Sequence, residues 1–535
     1  MGSNKTLGCT IANFRPEGNF KFTAQQVVDN HDVLTNVVYP INPEIKDLHL
    51  VDFEGDDWWI LYEFDGSTWI EVADINSGQG VISNIAKNHW VNSDSDPLIS
   101  APNDITRPYT TISNAFNIAL TVPPASGTLE DITGNTGYYA NSYLPNADTI
   151  HLLGDNVYLS TAEVALIPTK KNVKLKIDGG LRLQTGAHLE DITDFLLDIK
   201  GSGYIYKSGD SIISNPSDYS TIDIDLDSLY YKGNGVALNL TEAGANTSIK
   251  FKNVYINDGT FLTLPAHVNQ GTNIYIDKVS FTGGTTNNNL FKLPSSAIGT
   301  STYGRKHTNI RVGSIDMINP GLYKVLDMSN ILYTHQRLNL IIDQIETNNT
   351  GINELIYYTG SSNIANSHIN ININQISSPA SAVFSGGTST INGNIIVNVN
   401  SQINYSSANP IVLSNTAITG KLLVKGSFLG PIIMLYDEFY SGPTDIVDIY
   451  FEGKIEANLY PIIINSNRPN MTYNIYINNT ILINSGVLQL VSLLGTDTGT
   501  ATVNLICTNV KTNTLIADPL QVNVIGDLTR NVNFK

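Results

Sequence analysis

Charge is scarce in this 535-residue sequence: Asp, Glu, Lys and Arg together make up only 15% of it, against roughly a quarter in an ordinary globular domain. Asn, Ser, Thr and Gly fill the gap, a mixture that suits strands and tight turns better than solvent-exposed helices. Cysteine is scarcer still. Cys9 and Cys507 are the only two, almost the whole chain apart, so a disulfide framework is excluded and two buried thiols are expected. No run approaches the ~20 consecutive apolar residues that cross a bilayer, and the first residues lack the apolar core of a secretory signal. A soluble chain with no membrane insertion is therefore expected. The formal net charge of −18 comes without a basic stripe, which argues against a nucleic-acid partner. No His/Cys spacing suits zinc, no Gly-rich loop opens a helix for phosphate and no Gly-x-Ser-x-Gly elbow occurs, so neither a metal nor a cofactor is expected.

What the chain does contain is a repeat. From residue 236 an apolar tetrad recurs after a Gly, Asn or Pro, at 236–238, 261–264, 290–293, 322–326, 355–357, 382–384, 410–413, 431–434, 461–464 and 487–490. Each is followed by an alternating stretch, among them 249–256, 274–281, 310–317, 338–345, 369–376, 446–455 and 503–510. The period is roughly 22–33 residues, in the range of solenoids and propellers. In Ile369-Asn370-Ile371-Asn372-Ile373-Asn374 the Ile side chains share one face and the Asn the other, as in a strand dry on one side and wet on the other. Helical repeats are excluded by that period of two. A propeller blade needs about four strands in some 40 residues, whereas each unit here holds two clear strands and a turn. The fold class is therefore all-β, a right-handed parallel β-helix, with room for roughly fourteen coils after residue 150.

Upstream, Ile112, Ala115, Phe116 and Ala119 stand at helical spacing, with Thr111 or Ser113 available as a cap; the apolar stripe is what the open end of a solenoid needs. Residues 56–72 read as a β-hairpin about an Asp-Gly turn, and they hold Trp58, Trp59 and Trp69, three of the four tryptophans. Their first use is the core of a small module or an assembly contact; a sugar platform is the alternative. The expected organisation is an arm over 1–45, a Trp-rich hairpin module over 46–78, a linker over 79–105, a capping helix within 106–125 and a β-helix over 126–535.

One stretch is more specific. Pro108-Tyr109-x-Thr111-Ile112-x-x-Ala115, followed by Asp148-Thr149-Ile150-x-Leu152 and the turn Gly154-x-x-x-Tyr158, resembles the entry to the pectate-lyase-like superfamily of parallel β-helices, which includes phage tailspikes. The match covers about 50 residues; the rest is alike at the level of the fold. The resemblance implies a phage tail spike or fibre, located in the virion and extracellular after lysis. Its N-terminal region would dock on other tail proteins and its rod would meet a host-surface polysaccharide or receptor, in a homo-oligomer, usually a trimer. It also raises a polysaccharide lyase or glycoside hydrolase, or a passive adhesin rod, as alternatives. The matched motifs lie in the cap and first coil, so no family catalytic residue carries over.

Glycoside hydrolysis needs two carboxylates about 5–9.5 Å apart. Asp437, Glu438, Asp445 and Asp448, with Glu452 and Glu456 close behind, are the densest such cluster and the candidate catalytic residues. Tyr436 and Tyr440 beside them are the candidate glycan contacts. Asp223, Asp225 and Asp227 alternate along one strand and suit hydrolysis or a Ca²⁺. The bland reading of each is an outward strand position that must be polar. Arg305-Lys306-His307, the only tight basic cluster, reads as a solvated loop, and Asn287-Asn288-Asn289 as turn and ladder residues.

Overall fold

The computed structural model describes residues 22–27, 39, 41–43, 47–53, 58–76, 88–93, 105, 108–119, 129–130, 136–137, 148–167, 173–193, 196–214, 221–241, 246–265, 271–283, 288–295, 306–317, 323–347, 354–376, 382–387, 389–404, 411–414, 416–418, 421–429, 433–437, 446–457, 461–466, 472–484, 490–494, 502–513, 522–530 and 532. The chain divides into two units, residues 1–86 and 87–535.

In the first unit the expected hairpin is present. Trp58–Phe64 pairs antiparallel with Trp69–Asn76, and Leu48–Phe53 lies on its other side. A fourth strand, Phe22–Val27, runs parallel to Leu48–Phe53, so the sheet reaches into the stretch read as an arm. Trp69 stacks on Tyr39 with centroids 5.7 Å apart and packs with His49 and Phe64. Burial lowers the pKa of His49. Trp69 thus serves the module's own packing; the side chains of Trp58 and Trp59 lie outside the described residues.

The second unit is a parallel β-solenoid of about 9 turns. Long strands such as Thr221–Lys232, Asn246–Asn257 and Thr272–Phe281 stack in parallel in an 18-stranded sheet, and short ones such as Thr260–Thr263 and Asn288–Lys292 stack in a ten-stranded sheet. The count is below fourteen because the coils before Val236 and after Leu494 add described strands to the large sheet only. The last short strand among the described residues is Val491–Leu494, in which Val491 pairs with Ile462; of the tetrad read at 487–490, residues 487–489 lie outside the described residues.

Register accounts for the core. Ile249, Ile274, Ile310, Leu340, Ile371, Val397, Val424, Phe451, Ile477 and Cys507 are successive partners in one column. All are buried, each contributing on the order of 1.5–3 kcal/mol by leaving water. Cys507 is a buried free thiol, as expected; Cys9 lies outside the described residues.

Each long strand also turns a corner. Between buried Leu226 and Leu229, Phe251 and Val254, Ile276 and Val279, or Ile342 and Ile345, two successive residues face outwards before alternation resumes, so one strand supplies two limbs facing one core. At the corner Gly453 (φ +138°) an added Cβ would stand 1.9 Å from the Gly426 carbonyl oxygen.

The helix Ile112–Ile118 forms where expected, with Thr111 as its N-cap accepting from the Asn114 amide. Ile112, Ala115, Phe116 and Ala119 are buried in the same core as the coils. The strand Asn88–Val91, within the stretch read as linker, pairs with Thr149–Leu152 and so starts the solenoid. Lys306 and His307 lie on the strand Lys306–Met317, with His307 exposed, and not in a loop: Thr308 is buried, so the inward alternation of Ile310 and Val312 reaches one step further back than its apolar residues do. Arg305 lies outside the described residues.

Candidate functional site

A β-solenoid meets other molecules with the outward half of its alternation, and here that half belongs mainly to the large sheet. Outward positions of the short-strand sheet, including Thr260, Asn289, Asp327 and Ser385, are themselves buried. Asn289 donates to Thr260 Oγ1 and to Asp327 Oδ2, both at 3.3 Å, so this Asn is a ladder residue.

On the first limb of the long strands the carboxylates are occupied. Lys200 Nζ lies 2.9 Å from Asp223, Lys250 Nζ 3.2 Å from Asp225 and Lys252 Nζ 2.6 Å from Asp227. Each lysine comes from a coil next to its partner's; the three Asp alternate outwards as read, with Asp227 the first of the two outward residues at the corner. The same applies further along: Glu452 meets Lys425 at 2.6 Å, Glu456 meets Lys454 at 3.0 Å and Arg311 meets Asp343 at 3.1 Å. Lys425 holds the Glu452 carboxyl below its usual range. Asp198 differs. It is in register with Asp223, its burial pushes its pKa up, and Lys200 only partly counters this from 3.6 Å.

Asparagine fills much of the remaining face by bonding along the rod. Asn309 donates to Asn273, Asn370 to Asn339, Asn398 to Asn372 and Asn400 to Asn374. The longest such series among the described residues runs from Asn523 to Asn504 to Asn474 and ends on Asp448 Oδ1, which accepts from Asn474 at 2.7 Å.

Of the candidates read from sequence, Asp448 is thus the acceptor at the end of an amide ladder. Tyr436 and Asp437 close the short strand Ile433–Asp437, paired with Asn465 and Ser466, while Asp448 lies on Ile446–Ala457 in the large sheet. The side chains of Tyr436 and Asp437 are outside the described residues, as are Glu438, Tyr440 and Asp445 altogether. Among the described residues no three His, Cys, Asp or Glu side chains gather as metal ligands would.

The sequence reading passed over two outward columns. Ser248, Asn273, Asn309, Asn339 and Asn370 continue in register into Ile396, Leu423, Tyr450, Tyr476, Ile506 and Ile525, so a wet column becomes an apolar one. Tyr450 and Tyr476 stack 4.4 Å apart, Lys421 Nζ lies over the Tyr450 ring, and burial raises the pKa of Tyr450.

The second column, on the other limb, is Tyr158, Arg182, Tyr206, Tyr230 and Tyr255. Tyr230 and Tyr255 stack at 4.6 Å, nearly parallel, while Tyr204 meets Tyr230 edge-on at 5.7 Å. The tip of the Tyr204 ring takes the space a side chain at Gly180 would fill: an added Cβ there would lie 2.3 Å from Tyr204 Cζ. A signal for this face was available, since 158, 182, 206, 230 and 255 step by one coil each time.

Comparison with known proteins adds no family: no family model matches the chain, and neither a curated protein nor a solved structure matches it significantly. No helix among the described residues is long and apolar enough to cross a membrane.

Proposed function

We propose that the chain is a structural and receptor-binding component of a phage tail, of the spike or fibre kind, whose solenoid recognises a glycan or protein on the host surface. The observation that supports recognition over cleavage is the pairing of outward carboxylates among the described residues. Hydrolysis needs one carboxyl that gives up a proton and another free to attack or to activate water. Asp223, Asp225, Asp227, Glu452 and Glu456 are instead neutralised by lysines, and Asp448 is held by an amide. What the surface offers a ligand is hydroxyls, amides, tyrosine rings and a guanidinium, groups that bind sugars without cutting them.

On this reading the protein works in the virion, outside the cell after lysis. Its N-terminal region docks on other tail proteins, and the apolar column from Ile396 to Ile525 is where copies of the chain meet, in a trimer by resemblance to the tailspikes. Large apolar side chains between polar columns are the composition of an interface core and rim.

A second reading, a polysaccharide lyase or hydrolase, draws on one pair: Asp198, held up by burial, beside Asp223, with Lys200 between them. A carboxyl whose pKa burial raises, standing beside a second carboxyl, is the pattern of a general acid and its partner. One experiment separates the readings. Capsular and cell-wall polysaccharides of candidate hosts are incubated with the protein, and both retention and new reducing or unsaturated ends are scored. Retention without new ends is expected. New ends that vanish in Asp198→Asn would establish the enzyme, and neither outcome would leave a passive rod.

A further inference from the structure

We infer that the face built on Arg182 and Tyr204 binds a carboxylated sugar unit of an acidic polysaccharide; the inference rests on the glycan-recognition reading and names its ligand class. Arg182 lies on the strand Gly180–Leu183 and faces outwards, since its neighbours Leu181 and Leu183 are both buried. Its guanidinium carbon sits 5.0 Å from the centre of the Tyr206 ring and 5.8 Å from that of Tyr204, and Nη2 donates to the Tyr204 hydroxyl at 3.3 Å. That hydroxyl donates onward to the Asp155 carbonyl oxygen at 2.6 Å. Two rings and one hydrogen bond therefore hold the guanidinium in place.

Its charge, by contrast, is unanswered. Lys176, Lys200, Lys250, Lys252, Lys278 and Arg311 on the same sheet each meet a carboxylate, whereas none of the described carboxylates lies within ion-pairing distance of Arg182; Arg337 shares that lack, but among the described arginines it is Arg182 that two aromatic rings hold. Its Nε is buried with no hydrogen-bond acceptor. In a chain with net charge −18, a preorganised and unpaired guanidinium marks a place for an external anion. Its planar fork favours a carboxylate, which it can engage through two parallel hydrogen bonds.

The tyrosines specify the rest of the ligand. Tyr230 and Tyr255 stack on each other, and the tip of Tyr204 reaches over the side-chain-free Gly180, its ring turned 87° from Tyr230. Partly exposed aromatic rings beside the guanidinium supply a surface that packs against the C–H face of a pyranose. Sugar face and carboxylate together describe a uronic or sialic acid. Tyr158 and Tyr230, exposed on coils to either side, extend the surface to neighbouring units of a polymer.

The test titrates the full chain with an oligogalacturonate, an oligomer of α2,8-linked sialic acid and neutral maltoheptaose. One acidic series is expected to bind and the neutral one not. Arg182→Gln should weaken that binding by about tenfold or more, the loss expected for a hydrogen bond to a charged group. Arg182→Lys should keep part of it and Tyr204→Ala should lose most of it, while Arg311→Gln, a paired arginine further along the sheet, should leave it unchanged. Thermal melts check that each variant folds. Failure of both acidic series to bind, equal binding of the neutral sugar, or full affinity in a folded Arg182→Gln would each overturn the inference. If Arg182→Gln is retained on host polysaccharide as well as the parent chain is, glycan recognition stands and only this site falls. If the parent chain is retained by no polysaccharide, the broader reading falls first.

Discussion

From Ser248 to Asn370 and from Ile396 to Ile525 the structure presents one and the same outward column, first as serine and asparagine, then as aliphatic and tyrosine side chains. Just inside it, the column from Ile249 to Cys507 stays apolar throughout. The inward column has no freedom: a buried polar group without partners costs more than the coil gains. The outward one is free, so its composition reports its surroundings. Amides bonding along the rod fit water. Six large apolar residues in successive coils do not, and a soluble surface rarely carries such a patch without a partner. The two halves share backbone geometry and differ in what they face.

The strongest way to sharpen the contrast is to show that the inward column is indifferent to it. Ile371→Ala, beneath the polar half, and Ile477→Ala, beneath the apolar half, should each cost about 2–5 kcal/mol, as core truncations do. Denaturation with hydrogen exchange across the neighbouring coils would read this. A much smaller cost at either site would mean that the cylinder is not continuous.

Next comes association, about tenfold or more in the self-association constant, or ~1.4 kcal/mol. Tyr476→Asn and Leu423→Asn should shift the protein toward the monomer in sedimentation while Asn309→Ala and Asn370→Ala leave its mass unchanged. If all four behave alike, or if the parent chain is monomeric, the apolar half does not face another copy.

How much of this was legible beforehand follows from where partners sit in the chain. The Ile and Asn alternation of 369–374 is local, and both its core face and its wet face are as read. The helix at Ile112 and its Thr111 cap are local too. Much of the surface chemistry, however, pairs residues one coil apart: Asp225 with Lys250, Asn474 with Asp448, Arg182 with Tyr206. A carboxylate cluster that looks dense along residues 437–456 is divided by the fold between two sheets, and the partners of Asp448 and Glu452, Asn474 and Lys425, are invisible until the register is known. Tyr158, Arg182, Tyr206, Tyr230 and Tyr255 went unread for the same reason, although their spacing carries the period.

A smaller effect tests the ladders. Asn474 donates to Asp448 and accepts from Asn504, so Asn474→Ala interrupts the longest series at its middle and should cost about 1 kcal/mol, the net worth of a typical hydrogen bond. Asn309→Ala, which loses the single bond to Asn273, should cost no more than that. Equal stability of Asn474→Ala and the parent chain in denaturant would reduce the ladders to surface decoration.

The finest distinction is in pH. Burial raises the Asp198 pKa above its ordinary 3.8, so the folded state binds that proton more tightly than the unfolded one. The associated stability is complete below pH 3.8 and is lost as pH rises through the folded value. Glu452 has the opposite sign: Lys425 lowers it from 4.5, so its contribution is present above 4.5 and lost as pH falls through the folded value. Asp198→Asn should therefore gain on the parent chain between pH 3 and 6, and Glu452→Gln should lose ground over the same interval. Salt separates the causes, because it screens the half-exposed pair of Lys425 and Glu452 but not the burial of Asp198. If added salt removes both slopes, or if both variants move in the same direction, then burial is not what raises Asp198, and with it goes the ground for treating that residue as the acid of the enzymatic reading.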